Sequence, residues 1–267
     1  MHASTSEAHS FGSNVTAPEV TLNGPICTIE LAEPAKLNPL SPDVLDGLEA
    51  VVMKLRSAAD IRILVLRGQG KAFSAGADIR AWPSPAEPWQ EQRLRRGRWQ
   101  RLLDDLESLP QVSIARLHGH VIGGAALLAL SCDLRVAGHD LRFRIPELAL
   151  GIPLTWGGLP RLAREIGLAR TRDLVLTGRT LTAQEALEWG VVTRLANTDG
   201  LDRVVAEVVE SLLEPPAAVA SMSRASLAAI GRDRMTAAGW ADVDLYLGAN
   251  ARPESEAARQ RRVGHLT

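Results

Sequence analysis

Lysine is nearly missing from this chain: Lys36, Lys54 and Lys71 stand against 27 arginines in 267 residues. Most side-chain contacts to an anion must therefore come from arginine. The 30 basic and 31 acidic residues leave a net charge of −1, so nothing pulls the molecule as a whole toward nucleic acid or an anionic membrane. Cysteine is as scarce. Cys27 and Cys132 lie far apart in apolar runs with no CxxC, and read as two packed, reduced thiols rather than a disulfide. Aromatic residues make up only 4% of the chain, which points to an aliphatic core. No apolar run approaches the roughly 20 residues that span a bilayer. The start of the chain also lacks the basic stretch and apolar segment of a secretory leader. A soluble, cytoplasmic protein is expected, with neither nucleic acid nor membrane as partner.

Several familiar site motifs are absent too. There is no GxxxxGK[ST] and no GxSxG, which removes the phosphate-cradling loop and the strained serine elbow. "RGQG" follows a strand-like run, but the third glycine of a dinucleotide fingerprint would fall on Phe73. His118 and His120 flank Gly119 with no carboxylate at metal-site spacing, so no metal site is expected.

What is present is an alternation. Residues 1–19 are small and polar and read as a disordered tail. "ICTIEL" from Ile26 reads as a strand. Ser41-Pro42-Asp43 then supplies a cap, a first-turn proline and an early carboxylate. Val44, Leu48, Val51, Val52 and Leu55 follow at helical spacing. "IRILVLR" is the next strand, about Pro85 to Leu109 a helix, "VSIARL" a strand, "GGAALLALS" a short helix and "DLRVAG" a strand. This order predicts an α/β core with parallel strands and right-handed crossovers. Beyond Gly151 the pattern predicts helices near 157–167, 169–176 and 182–188, a short strand in "VVTRL", and a largely helical remainder. The segment Trp82–Gln100 starts irregular and turns basic, as a solvated helix entrance or a lid over a site would.

Two runs of small residues stand out. "KAFSAGADIRAW" follows the strand ending near Gly68, and "HGHVIGGAALLALSCD" opens a helix at Gly123-Gly124. Small side chains let a ligand approach the main chain, and the first amides of a helix lack internal partners. The amides of Ala77 and Gly124 on adjacent loops would make an oxyanion hole for a carbonyl becoming an enolate. Either run alone reads equally well as a turn followed by tight helix packing.

Taken together, these runs with "EPAKLNPLS", "FRIPELALGIPLTWGGLPRLAREIG" and "LTGRTLTAQEALEWGVVTRL" resemble the crotonase family of enoyl-CoA hydratases and isomerases. The resemblance covers about residues 26–195. It implies a spiral of β-β-α turns over 20–198, a C-terminal helical trimerisation region over 199–267, and a trimer or dimer of trimers. It also implies an acyl-CoA thioester as ligand, with coenzyme A arriving as part of the substrate and no permanently bound cofactor. The thioester oxygen would sit between the amides of Ala77 and Gly124. The bent coenzyme A would lie along residues matching Ala35, Lys36 and Leu37 and along Ala75, Asp78 and Ile79, with Lys36 as one phosphate contact or a plain surface lysine. Arg259, Arg261 and Arg262 near the C-terminus read equally as phosphate contacts, on a neighbouring subunit, or as an ordinary solvated basic face.

The acids then bear on the chemistry. Family hydratases use two glutamates; the first lies three residues after the oxyanion glycine, where this chain has Leu127. The second matches Glu147 in "IPELALG", flanked by apolar residues that would raise its pKa. The plainer reading of Glu147 is a turn residue paired with Arg144. One carboxylate suffices to shift a C=C bond but not to orient and activate water, so the resemblance implies a single-glutamate isomerase. Thr155 stands where dienoyl-CoA isomerases and hydroxyisobutyryl-CoA hydrolases carry Asp. Trp156 stands beside the expected acyl site, where small residues are common. A weak hydratase, hydrolysis or decarboxylation on the same hole, and a non-catalytic acyl-CoA-binding protein are the alternatives.

Overall fold

A computed structural model describes residues 17–78, 88–232, 242–251 and 253–263. The chain enters as a hairpin. β1 (Glu19–Asn23) runs antiparallel to β2 (Ile26–Leu31), with Glu19 opposite Glu30 and Asn23 opposite Ile26. Gly24 takes φ +53° in the two-residue turn, as a tight hairpin demands. Glu19, which the sequence pattern assigns to the tail, is thus the first residue of a paired strand; residues 1–16 lie outside the described residues.

Helix α1 (Pro42–Leu55) begins as its sequence requires: Ser41 Oγ accepts from the Val44 N–H at 3.2 Å, and Pro42 occupies the first helical position. β3 (Ile63–Gly68) follows, then α2 (Trp89–Glu107), β4 (Val112–Leu117), β5 (His120–Ile122), α3 (Gly124–Leu130), β6 (Leu134–Gly138) and β7 (Arg142–Arg144). Helix α4 (Gly158–Thr177) is broken by a non-helical Gly167, which accounts for the two separate helices that the pattern suggests. After it come β8 (Thr180–Thr182), α5 (Ala183–Trp189), β9 (Arg194–Ala196), α6 (Leu201–Leu213), α7 (Ala217–Arg232), α8 (Asp242–Asn250) and α9 (Pro253–Val263).

The main sheet has the order β1-β2-β3-β4-β6-β9, parallel from β2 onward. β3 shows why its sequence is continuously apolar. Leu64 and Leu66 face the core shared with α1, α2 and α3, whereas Ile63 and Val65 join Val205, Val208 and Val209 of α6 on the other face. A strand covered on both faces has no polar side. A second sheet, β5-β7-β8, runs beside the first. Its strands have three residues each, too short to leave a period in the sequence.

The C-terminal helices return to this scaffold. Arg224 of α7, buried, donates to Asp133 Oδ2 at 2.7 Å and to the Leu109 carbonyl. Ser255 of α9 donates to the Gly151 carbonyl at 2.6 Å, and Tyr246 and Leu247 of α8 pack with Ile152. The last two helices therefore cover the turn that follows β7. Both cysteines are free and buried, and burial pushes their thiols up to about 11 at Cys27 and about 12 at Cys132.

Candidate active site

The loop after β3 is fixed by one asparagine. Asn38 sits at φ +53°, a left-handed conformation that asparagine tolerates better than most residues. From there its amide donates to the carbonyls of Gln69 and Ala72 at 2.9 Å and of Phe73 at 3.2 Å, while its side-chain oxygen accepts from the Glu33 N–H at 2.9 Å. Ser74 adds a bond from its hydroxyl to the Asn38 carbonyl at 2.6 Å. On the far side, Phe73 and Ser74 donate to the carbonyls of His118 and His120. His118 steadies the same loop, with Nε2 3.0 Å from the Gly70 carbonyl oxygen and Nδ1 3.0 Å from Arg116 Nη1. Burial holds its imidazole below the usual range, in keeping with a neutral ring whose two nitrogens are occupied within the protein.

Gly76 brings the two small-residue runs together. It takes φ +90°, and a Cβ there would run into the Ile122 carbonyl and lie 3.6 Å from the Gly124 nitrogen. Leu40 bonds on either side of Ala77, donating to the Gly76 carbonyl and accepting from the Asp78 N–H, without using the Ala77 N–H. Among the described residues, neither that N–H nor the Gly124 N–H donates to another protein atom.

Glu147 reaches the same place through the second sheet. The Gly123 N–H donates to the Arg144 carbonyl at 2.8 Å, continuing the β5–β7 pairing by one residue. Three residues on, Glu147 opens a 3-10 turn (Glu147–Leu150) and is only 9% exposed. Its Oε2 is buried with no hydrogen-bond partner. Burial raises its carboxyl from 4.5 to about 7, because the charged form loses hydration and finds no cation in return. Arg144 does not pair with it: its Nε donates to the Gly178 carbonyl at 2.6 Å.

Leu127 is buried on α3 and packs with Leu154 against Gly158. Trp156 stacks on Trp99 with ring centroids 4.7 Å apart and planes 13° apart. A Cβ on Gly124 would lie 2.6 Å from Cη2 of Trp156. A cavity of about 100 Å³ is lined by Leu40, Leu45, Ala77, Trp99 and Trp156, with Arg95, Arg96 and Arg98 at its side.

Residues 21–260 match the family model for enoyl-CoA hydratase/isomerase. This chain belongs to that family. A probable enoyl-CoA hydratase from Bacillus subtilis is 34% identical over 193 residues, 72% of each chain. The (E)-benzylidenesuccinyl-CoA hydratase of Thauera aromatica is 31% identical over 74% of this chain and 75% of its own. A probable enoyl-CoA hydratase from Mycobacterium smegmatis superposes with a TM-score of 0.80 at 26% identity, covering 87% of this chain and 93% of its own. An enoyl-CoA hydratase/isomerase from Pseudoalteromonas atlantica reaches 0.83 over 93% and 97% at 22% identity, a likeness of fold. The chain is thus a crotonase-fold enzyme of the hydratase/isomerase type.

Within this family frame the residues expected to meet coenzyme A fall into two adjoining segments. Ala35, Lys36 and Leu37 lie in and just after a 3-10 turn, and the Ala75 N–H donates to the Leu37 carbonyl at 2.8 Å, which places Ala75 and Asp78 on the neighbouring loop. Lys36 forms an exposed ion pair with Glu33. Ile79, the irregular start of Trp82–Gln100, and the side chains of Arg259 and Arg262 lie outside the described residues. Arg261 is exposed on α9. No helix among the described residues is long and apolar enough to cross a membrane.

Sequence reasoning missed three residues that shape the site. Asn38 carried a usable signal, an asparagine ahead of proline inside a motif already singled out. Trp99 lay unremarked within the basic part of the Trp82–Gln100 segment. Arg161, fully buried, donates to Glu107 at 2.9 Å, to Asp104 at 2.5 Å and to the Trp156 carbonyl at 2.5 Å, and nothing local in "GGLPRLAREIG" marks it as buried.

Proposed function

We propose that this enzyme shifts a C=C bond in an enoyl-CoA from C3=C4 to C2=C3, using Glu147 as the only proton carrier. The thioester oxygen accepts hydrogen bonds from the Ala77 and Gly124 amides, which acidifies C2. Ionised Glu147 removes a C2 proton, and the electron pair delocalises through C3=C4 and the carbonyl as a dienolate. Protonated Glu147 then delivers that proton to C4, leaving a C2=C3 bond and a regenerated carboxylate. Each oxyanion donor of this kind contributes about 3 kcal/mol at the transition state. Ala35, Lys36, Leu37, Ala75, Asp78 and Ile79 belong to this reading as coenzyme A contacts.

The observation that carries the reading is the isolation of Glu147: its Oε2 is buried and unpartnered, and the position where family hydratases keep a second glutamate is Leu127, buried against Leu154 and Gly158. A buried acid poised near neutrality both takes and returns a proton. The test is Glu147→Gln assayed on 3-enoyl-CoA by the appearance of the conjugated 2-enoyl thioester. A loss of about 10³-fold is expected, with affinity for a saturated acyl-CoA within about twofold. An unchanged rate would remove Glu147 from the mechanism.

A second reading is favoured by the relatives' names, several of which are hydratases. Hydration of crotonyl-CoA, measured beside isomerisation on the same preparation, separates the two; faster hydration decides for the hydratase. The trimer or dimer of trimers implied by the family resemblance remains part of the proposal. The exposed apolar side chains of Val219, Met222 and Ile230 on α7 support it, and the mass in solution tests it.

A further inference from the structure

We infer that Trp156, backed by Trp99, is the specificity-determining wall of the acyl site and makes the enzyme prefer short acyl groups to long ones. The inference rests on the placement of the thioester carbonyl at Ala77 and Gly124. One contact holds the indole ring, and two further features fix the backbone that carries it. Its ring stacks on Trp99, itself only 8% exposed. Its backbone sits in the left-handed region at φ +58°, a conformation that a bulky residue keeps only when its surroundings impose it. Its carbonyl accepts from Nη1 of Arg161, whose other guanidinium nitrogens are bound by Glu107 and Asp104. With the backbone fixed, a rotamer change of the indole has to break the stack on Trp99.

The position of the ring decides what it limits. The edge of Trp156 lies against the Cα of Gly124, so that a Cβ there would be 2.6 Å from Cη2. An acyl chain leaving a carbonyl bound at that amide meets the indole within a few bonds. The space beside it is an open cleft of about 100 Å³ between Leu40, Ala77 and the two tryptophans, with Asp78 and three arginines along its side. A longer chain on this path runs against the stacked pair of Trp156 and Trp99.

The experiment reads chain length in two ways. Turnover of 3-enoyl-CoAs of four, six, eight and ten carbons is compared between the wild type and Trp156→Gly, glycine being the residue least strained at φ +58°. Binding of butyryl-CoA and octanoyl-CoA, which have no double bond to move, is measured by calorimetry on both proteins. The wild type should prefer the four-carbon over the ten-carbon substrate at least tenfold in kcat/KM, and butyryl- over octanoyl-CoA in affinity. Trp156→Gly should cut both preferences at least tenfold. If Trp156→Gly does not fold, Trp156→Phe, which keeps a smaller stacked ring, should cut them at least threefold. A wild type indifferent to chain length, or a folded variant with unaltered preference, overturns the inference. No turnover of any 3-enoyl-CoA, with the binding preference intact and lost in the variant, would sink the isomerase reading and leave the wall standing.

Discussion

A Cβ placed on Gly123 would lie 2.7 Å from Oε1 of Glu147. The glycine ahead of the proposed second oxyanion donor and the proposed proton carrier therefore share one small volume, although β5 and β7 deliver them from different stretches of chain. The second sheet brings these two residues side by side.

Gly123→Ala tests that proximity. The added methyl would press on the carboxyl, and φ +55° with ψ −119° is a sparsely populated conformation that suits glycine and costs another residue about 1–3 kcal/mol. We expect a fall in kcat of at least tenfold, larger than the accompanying loss of stability explains, with KM for the thioester changed less than threefold. The check is steady-state kinetics beside a thermal melt. A variant that melts lower but keeps kcat would place the carboxyl elsewhere during the reaction.

The raised carboxyl of Glu147 predicts opposite trends in rate and stability. The reaction begins with ionised Glu147, so kcat/KM should climb through about pH 7 and level off above it. Stability runs the other way. Between the unfolded value of 4.5 and the folded value of about 7 the native state holds a proton that the unfolded chain has released, so native stability falls as pH rises through that window and is flat above it. The difference amounts to about 3 kcal/mol. Glu147→Gln, which cannot ionise, should therefore be more stable than the wild type at pH 8 and close to it at pH 4.5. Denaturant titrations at the two pH values read this directly; equal differences at both would show that the carboxyl is not desolvated.

The amphipathic helices were legible because they write a period, and the long strands because they are apolar runs between turn signals. Ser41-Pro42-Asp43 marked the start of α1, and "ILVL" marked a strand covered on both faces. The candidate site was legible only through the family resemblance joined to two small-residue runs. Spacing alone did not show that Gly76 must be glycine because Ile122 crosses behind it, or that Glu147 stands beside Gly123. The three-residue strands of the second sheet, and the buried Arg161 that ties Glu107 and Asp104 to the Trp156 carbonyl, depend on partners 5 to 57 positions away in sequence. Contacts of that kind have no local period to read.

Asn38 offers the sharpest separation of backbone geometry from hydrogen bonding. Its side chain joins the turn at Glu33 to the carbonyls of Gln69, Ala72 and Phe73, and so holds the loop that presents Ala77. Asn38→Gly keeps the left-handed backbone and loses the bonds; Asn38→Ala loses both. Stranding buried carbonyls costs about 1–3 kcal/mol, and forcing alanine to φ +53° adds about 1 kcal/mol. Both variants should melt lower, Asn38→Ala lower than Asn38→Gly by a few degrees. Both should also lose kcat/KM by a similar factor of ten or more, because the position of the Ala77 amide depends on the bonds and not on the identity of the residue at the turn. If Asn38→Gly keeps full activity while losing stability, the loop holds its catalytic shape without the asparagine, and the Ala77 amide is positioned by Gly76 and the Leu40 pairing alone.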